Sequence, residues 1–161
     1  MGRLTLAGWR RYEELQRGDT SSTTAFMAMK FGDATLDAIV AGHFRPAVEA
    51  AGFRLKRLDD EQPAGLIDDH LRVEIKRARF LIADLTHHNN GAYWEAGYAE
   101  GLGKPVIYTC ERGVFLDKSK GTHFDTNHHL TVIWDEAEPE VAARKLKDTI
   151  RATLPDAKMG D

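Results

Sequence analysis

Cysteine is nearly absent: Cys110 is the sole one in 161 residues, so no disulfide can close within the chain and a reducing, cytoplasmic setting is expected. Long hydrophobic runs are missing too. No apolar stretch approaches the roughly 18 residues that a membrane span requires, and the polar N-terminus has no signal-peptide core, so a soluble, unprocessed protein without a membrane partner is expected. Charge of one sign is also lacking: 22 basic against 25 acidic residues give a formal net charge of -3, which offers nucleic acid no basic field. An HExxH pattern, paired cysteines, and Walker or dinucleotide glycine fingerprints are all absent, so neither a metal nor a cofactor is expected. What is present, 42% hydrophobic residues in a chain of this length, suits one compact domain with a real core.

Apolar spacing divides the chain into an N-terminal appendage, residues 1–20, and an α/β domain, residues 21–161. Leu6, Trp9, Tyr12 and Leu15 recur at helical period over Leu4 to Gln16, and the turn formers from Arg17 to Thr24 then read as a linker. Beyond it, buried-strand patterns at 25–29, 53–58, 80–83, 106–109 and 131–134 alternate with amphipathic helices at 36–51, 66–77, 93–102 and 139–154. Gly52 and Gly103 stop the helices before them, and Pro105 forbids continuation. Regular βαβ units with short connections predict a parallel sheet of about five strands flanked by helices, Rossmann-like in its crossovers, with one extra N-terminal helix.

The carboxyl edge of such a sheet is where ligands bind, and the chain concentrates its candidates there. Glu95 falls in the first turns of the helix after the third strand, beside Tyr93, Trp94 and Tyr98, whose rings would desolvate it. A carboxylate so placed can attack an anomeric carbon or stabilise an oxocarbenium-like transition state. The plainer reading of Glu95 is an acidic residue favoured by a helix N-terminus. Asp84, eleven residues earlier, ends an apolar strand and either caps the following loop or points into the crevice. Between them lie His87, His88, Asn89 and Asn90, directional donors for a sugar or phosphate, with Gly91 permitting close backbone approach. The loop after the first strand, Met29, Lys30, Phe31 and Gly32, forms the opposite wall, with Lys30 as anion partner or simple surface lysine. Asp59, Asp60 and Glu61 make a second acidic cluster, suited to ribose hydroxyls or to solvation. The loop Thr122 to His129 holds three histidines and an aspartate, yet without a ligand motif it reads better as a cover supplying Phe124, Asp125 and Asn127 than as a zinc site.

Four segments together, Phe26-Met-Ala-Met-Lys-Phe31, Ile82-Ala-Asp-Leu-Thr86, Asn89-Asn-Gly-Ala-Tyr-Trp-Glu-Ala-Gly97 and Leu102-Gly-Lys-Pro-Val-Ile107, resemble the nucleoside 2-deoxyribosyltransferase-like superfamily, including its nucleotide N-glycosidase branch. Toll/interleukin-receptor-like domains are related to it in shape. The resemblance covers roughly residues 25–135. It implies a flavodoxin-like sheet and a glutamate, Glu95 by motif position, that attacks C1′ of a nucleoside and releases the base. It further implies that Asp84 contacts base or sugar, that the first loop lines the pocket, and that a homo-oligomer completes the site. The chain departs from the transferases of that family in carrying Asn89-Asn-Gly-Ala-Tyr-Trp before the glutamate, where they have a Gly/Asp-rich approach.

Three readings stay open at this level. One is an N-glycosidic bond-cleaving hydrolase or transferase acting on a nucleotide or nucleoside. Another is a nucleotide-sensing module that signals through the N-terminal helix. The last is NAD hydrolysis of the Toll/interleukin-receptor-like kind.

Overall fold

The computed structural model describes residues 5–17, 21–58, 67–117 and 131–160. Its centre is a sheet of five strands, β1 (Thr24–Ala28), β2 (Arg54–Arg57), β3 (Phe80–Asp84), β4 (Val106–Glu111) and β5 (Thr131–Trp134). All neighbouring pairs are parallel and the order is β2-β1-β3-β4-β5. This is the flavodoxin-like order, in which the chain reverses direction across the sheet between β1 and β3. The helices are α1 (Leu6–Arg17), α2 (Ala34–Ile39), α3 (Arg45–Ala50), α4 (Ile67–Arg77), α5 (Asn90–Gly101), α6 (Arg112–Leu116) and α7 (Pro139–Thr153). Among the described residues, no helix is long and apolar enough to cross a membrane.

Strand alternation builds two cores, one on each face of the sheet. Met27, Met29, Phe80, Ile82, Ile107, Val132 and Trp134 point to the face covered by α2, α3 and α7. Phe26, Ala28, Leu81, Ala83, Leu85 and Tyr108 point to the other, covered by α4 and α5. α5 meets the sheet through Ala92, Ala96 and Ala99, each at most 1% exposed, so its axis approaches closely. At the amino edge, Gly52 and Gly103 turn with φ of 92° and 72°, conformations that disfavour any residue with a Cβ.

Two elements differ from the sequence expectation. The helix expected at 36–51 is interrupted by a π-helical turn, Val40–Phe44, between α2 and α3. Pro46, in the first turn of α3, has no N–H to donate, and its ring collides with a regular preceding turn, so the helix widens there; the Arg45 N–H reaches back five residues to the Val40 carbonyl. The short α6 was not anticipated. It starts because Glu111 caps it, one carboxylate oxygen accepting from Gly113 N at 2.7 Å and the other from Val114 N at 2.8 Å.

Candidate active site

The carboxyl edge of β3 is organised around Asp84, 2% exposed. One oxygen accepts the Thr86 N–H at 3.0 Å; the other accepts the Thr109 hydroxyl at 2.7 Å and the Trp134 indole N–H at 2.8 Å. Desolvation pushes this carboxyl above its ordinary range, against those three donors and the Thr86 side chain. Thr86 in turn accepts the Glu111 N–H at 2.9 Å. Of the two roles open to Asp84 in the sequence, capping is the one observed: the carboxylate closes the turn after β3 and ties β3 to the ends of β4 and β5.

That turn delivers the chain into α5. Asn89 caps the helix, its side-chain oxygen accepting the Gly91 N–H at 2.8 Å, so α5 begins one turn before the expected Tyr93. His88 takes the left-handed conformation, φ 50°, and its Nδ1 lies 3.5 Å from the Tyr93 hydroxyl. His87 crosses the chain-reversal point: its Nε2 is 3.0 Å from Asp33 Oδ2 in the loop after β1. Asp33 also caps α2 through the Leu36 N–H at 2.8 Å, the main reason its carboxyl is held below its ordinary range.

A cavity of about 340 Å³ opens beside this edge, between α4 and the first turns of α5, lined by Leu71, Arg72, Gly91, Trp94 and Glu95. The Glu95 carboxylate folds back along its helix, so that a Cβ added to Gly91 would lie 3.8 Å from Glu95 Oε1 and 3.2 Å from Asn89 Oδ1. Among the described residues no hydrogen bond or ion pair engages it. Burial alone lifts its carboxyl to about 7, against an ordinary 4.5. A desolvated, unpaired carboxylate in a cavity is the arrangement expected of a functional group, since an architectural one gains partners.

The remaining candidates fall into three groups. Glu95 and Gly91 share the cavity; Tyr98 stacks on Trp94 with ring centroids 5.3 Å apart and planes 6° from parallel, while Asn90 is exposed on the first turn. In the loop after β1, whose residues are not among those lining this cavity, Lys30 is exposed, Phe31 lies under the Arg57 guanidinium at 5.9 Å, and Gly32 turns with φ 79°. Met29 is a correction: its side chain is 3% exposed within the core, so it offers a ligand at most its backbone. Asp125, Asn127 and Phe124, with Asp59, Asp60 and Glu61, lie outside the described residues. Arg72 was missed by the sequence reading, as were Thr109 and Trp134, the partners of Asp84. Arg72 sits one position past the apolar stripe of α4, where an arginine gives no signal distinct from a solvated face. Among the described residues no group of His, Cys, Asp and Glu side chains could hold a metal.

Fold and cavity together define an α/β protein of flavodoxin-like topology whose fifth helix carries a carboxylate with no partner among the described residues. No family model matches the chain, and no curated protein matches it in sequence. A solved response regulator receiver protein from Sinorhizobium medicae WSM419 is similar, with 14% identity, a TM-score of 0.41, and coverage of 80% of this chain and 97% of that one. A likeness of that depth bears neither on the cavity nor on its chemistry.

Proposed function

We propose that this protein cleaves the N-glycosidic bond of a nucleotide or nucleoside, with Glu95 as nucleophile. The observation that carries the reading is the Glu95 carboxylate, without a partner among the described residues and raised by burial to about 7 in a cavity of about 340 Å³. Ionised Glu95 attacks C1′; the C1′–N electron pair leaves on the base, which takes a proton from solvent. Water, or a second base, then displaces the carboxylate from the glycosyl ester and regenerates it. Asp84 serves as a positioning residue, fixing through Thr86 the turn that aims α5. A cytoplasmic setting and a homo-oligomer belong to the same proposal, the latter checked by light scattering.

Purified protein incubated with nucleoside monophosphates, nucleosides and NAD, and followed by mass spectrometry, is expected to release free base, and Glu95→Gln to release none. Because the attacking form is ionised, kcat/KM should rise with pH and level off above a midpoint near 7. A flat profile between pH 5.5 and 8.5, or activity persisting in Glu95→Gln, would rule out this role for Glu95.

One observation favours a sensor that binds without turnover. On α1, Leu6, Trp9 and Tyr12 are 73%, 52% and 48% exposed, an uncovered apolar stripe of the kind that engages partners. Recovery of intact nucleotide after long incubation, together with stoichiometric binding, would select that reading.

A further inference from the structure

Bond cleavage assigns a task to Glu95 and none to the two large side chains that share its cavity. Trp94 is 44% exposed on one wall, and Tyr98 stacks on its ring and fixes its orientation. Arg72 faces it from α4, its guanidinium carbon 5.6 Å from the ring centroid. Among the described residues its other charged contact is Asp69 at 3.4 Å, where the two side chains are 48% and 77% exposed. Such an exposed, long pair contributes little and yields readily to a better anion. Lys30, the cation expected from the sequence, is not among the described residues that line the cavity; among those, Arg72 is the sole cation.

We propose that Arg72 and Trp94 form the substrate-selecting wall of the Glu95 cavity, the guanidinium turning off the indole to hold the phosphate of a nucleoside monophosphate and leaving the ring face it covered to stack on the base. The planar fork of arginine matches phosphate oxygens in a way a lysine does not, and a base of any kind gains from stacking on an aromatic platform. The stack with Tyr98 costs the ring its freedom in advance, so little is lost when a base arrives. Cavity size agrees: about 340 Å³ lies at the small end of ligand pockets and has room for a mononucleotide. The bond to be broken rests on the N-glycosidase reading; the recognition does not.

The test is a fluorescence titration in the Glu95→Gln background, so that ligand is not consumed, using the monophosphates of adenosine, guanosine, cytidine and uridine, their deoxy counterparts and the matching nucleosides. At least one monophosphate should quench tryptophan emission and bind about tenfold or more tightly than its nucleoside. Adding Trp94→Phe should remove the quench while Trp9 and Trp134 remain. Adding Arg72→Gln should bring monophosphate and nucleoside within about twofold, whereas Lys30→Ala should leave the preference intact. The proposal is overturned if the preference survives Arg72→Gln, if it disappears in Lys30→Ala, or if no ligand of the set binds. Base release by the Glu95-bearing protein is scored separately: Arg72-dependent binding without release would sink the glycosidase reading alone, and release without Arg72 dependence would sink this inference alone.

Discussion

Asp84 and Glu95 are two carboxylates shifted the same way by desolvation and placed under opposite conditions. Asp84 is surrounded by donors, whereas Glu95 has none among the described residues. The second condition destabilises the fold whenever Glu95 is ionised. Its folded carboxyl titrates near 7 and its unfolded one near 4.5, so between these values the native state holds more protons and stability falls as pH rises. Glu95→Gln should therefore leave stability unchanged below about pH 4.5 and raise it above pH 7, by on the order of 1–3 kcal/mol. Urea denaturation at pH 4.5 and 8 checks this, and a variant less stable at both would contradict it. The position of Glu95 was legible from its place after the third strand and its aromatic neighbours. The partners of Asp84 were not, because Thr109 and Trp134 lie 25 and 50 residues away and no local pattern marks either as its donor.

Between elements, the ends of three strands hang on one side chain. Replacing Asp84 with Ala leaves the Thr86 N–H, the Thr109 hydroxyl and the Trp134 indole N–H buried without their acceptor, a loss of about 2–4 kcal/mol. Asp84→Asn, which keeps one carbonyl oxygen, should lose less. Equilibrium unfolding of both variants tests the ordering, and Asp84→Ala within 0.5 kcal/mol of wild type, on the order of an ordinary surface change, would refute it. Helices and strands were legible because their apolar periods differ. The π-helical turn was not, since Pro46 reads equally well as a first-turn proline or as an interior break, and only packing against α7 shows the helix continuing across it. α6 escaped because five residues are too few for a period to register.

On the scale of the whole molecule, the last residues close the amino edge of the sheet. Asp156 pairs with Arg79 at 2.8 Å, the Lys158 N–H donates to the Ala51 carbonyl at 2.8 Å, and the Arg151 side chain bonds the Lys158 carbonyl at 2.8 Å. Ala157 is 7% exposed. Deleting residues from Pro155 onward should lower the thermal midpoint by several degrees, and an unchanged midpoint would show that the tail is an ornament. The alternation of strands and helices made the parallel sheet legible. Strand order was not in that alternation, because a chain of βαβ units can wind to either side at each step; the flavodoxin-like order came through the family resemblance, and the observed pairing bears it out.

The alanine face of α5 has a reach that its burial does not convey. Ala92, Ala96 and Ala99 set how high the helix rides above β3, and Gly91, Trp94 and Glu95 ride with it on the far side. One added methyl beneath the helix would tilt the cavity wall without touching it. The mouth of the cavity is thus adjusted from below, like a shelf by the pegs under it, and natural variation in this site is to be sought under the helix as much as in its lining.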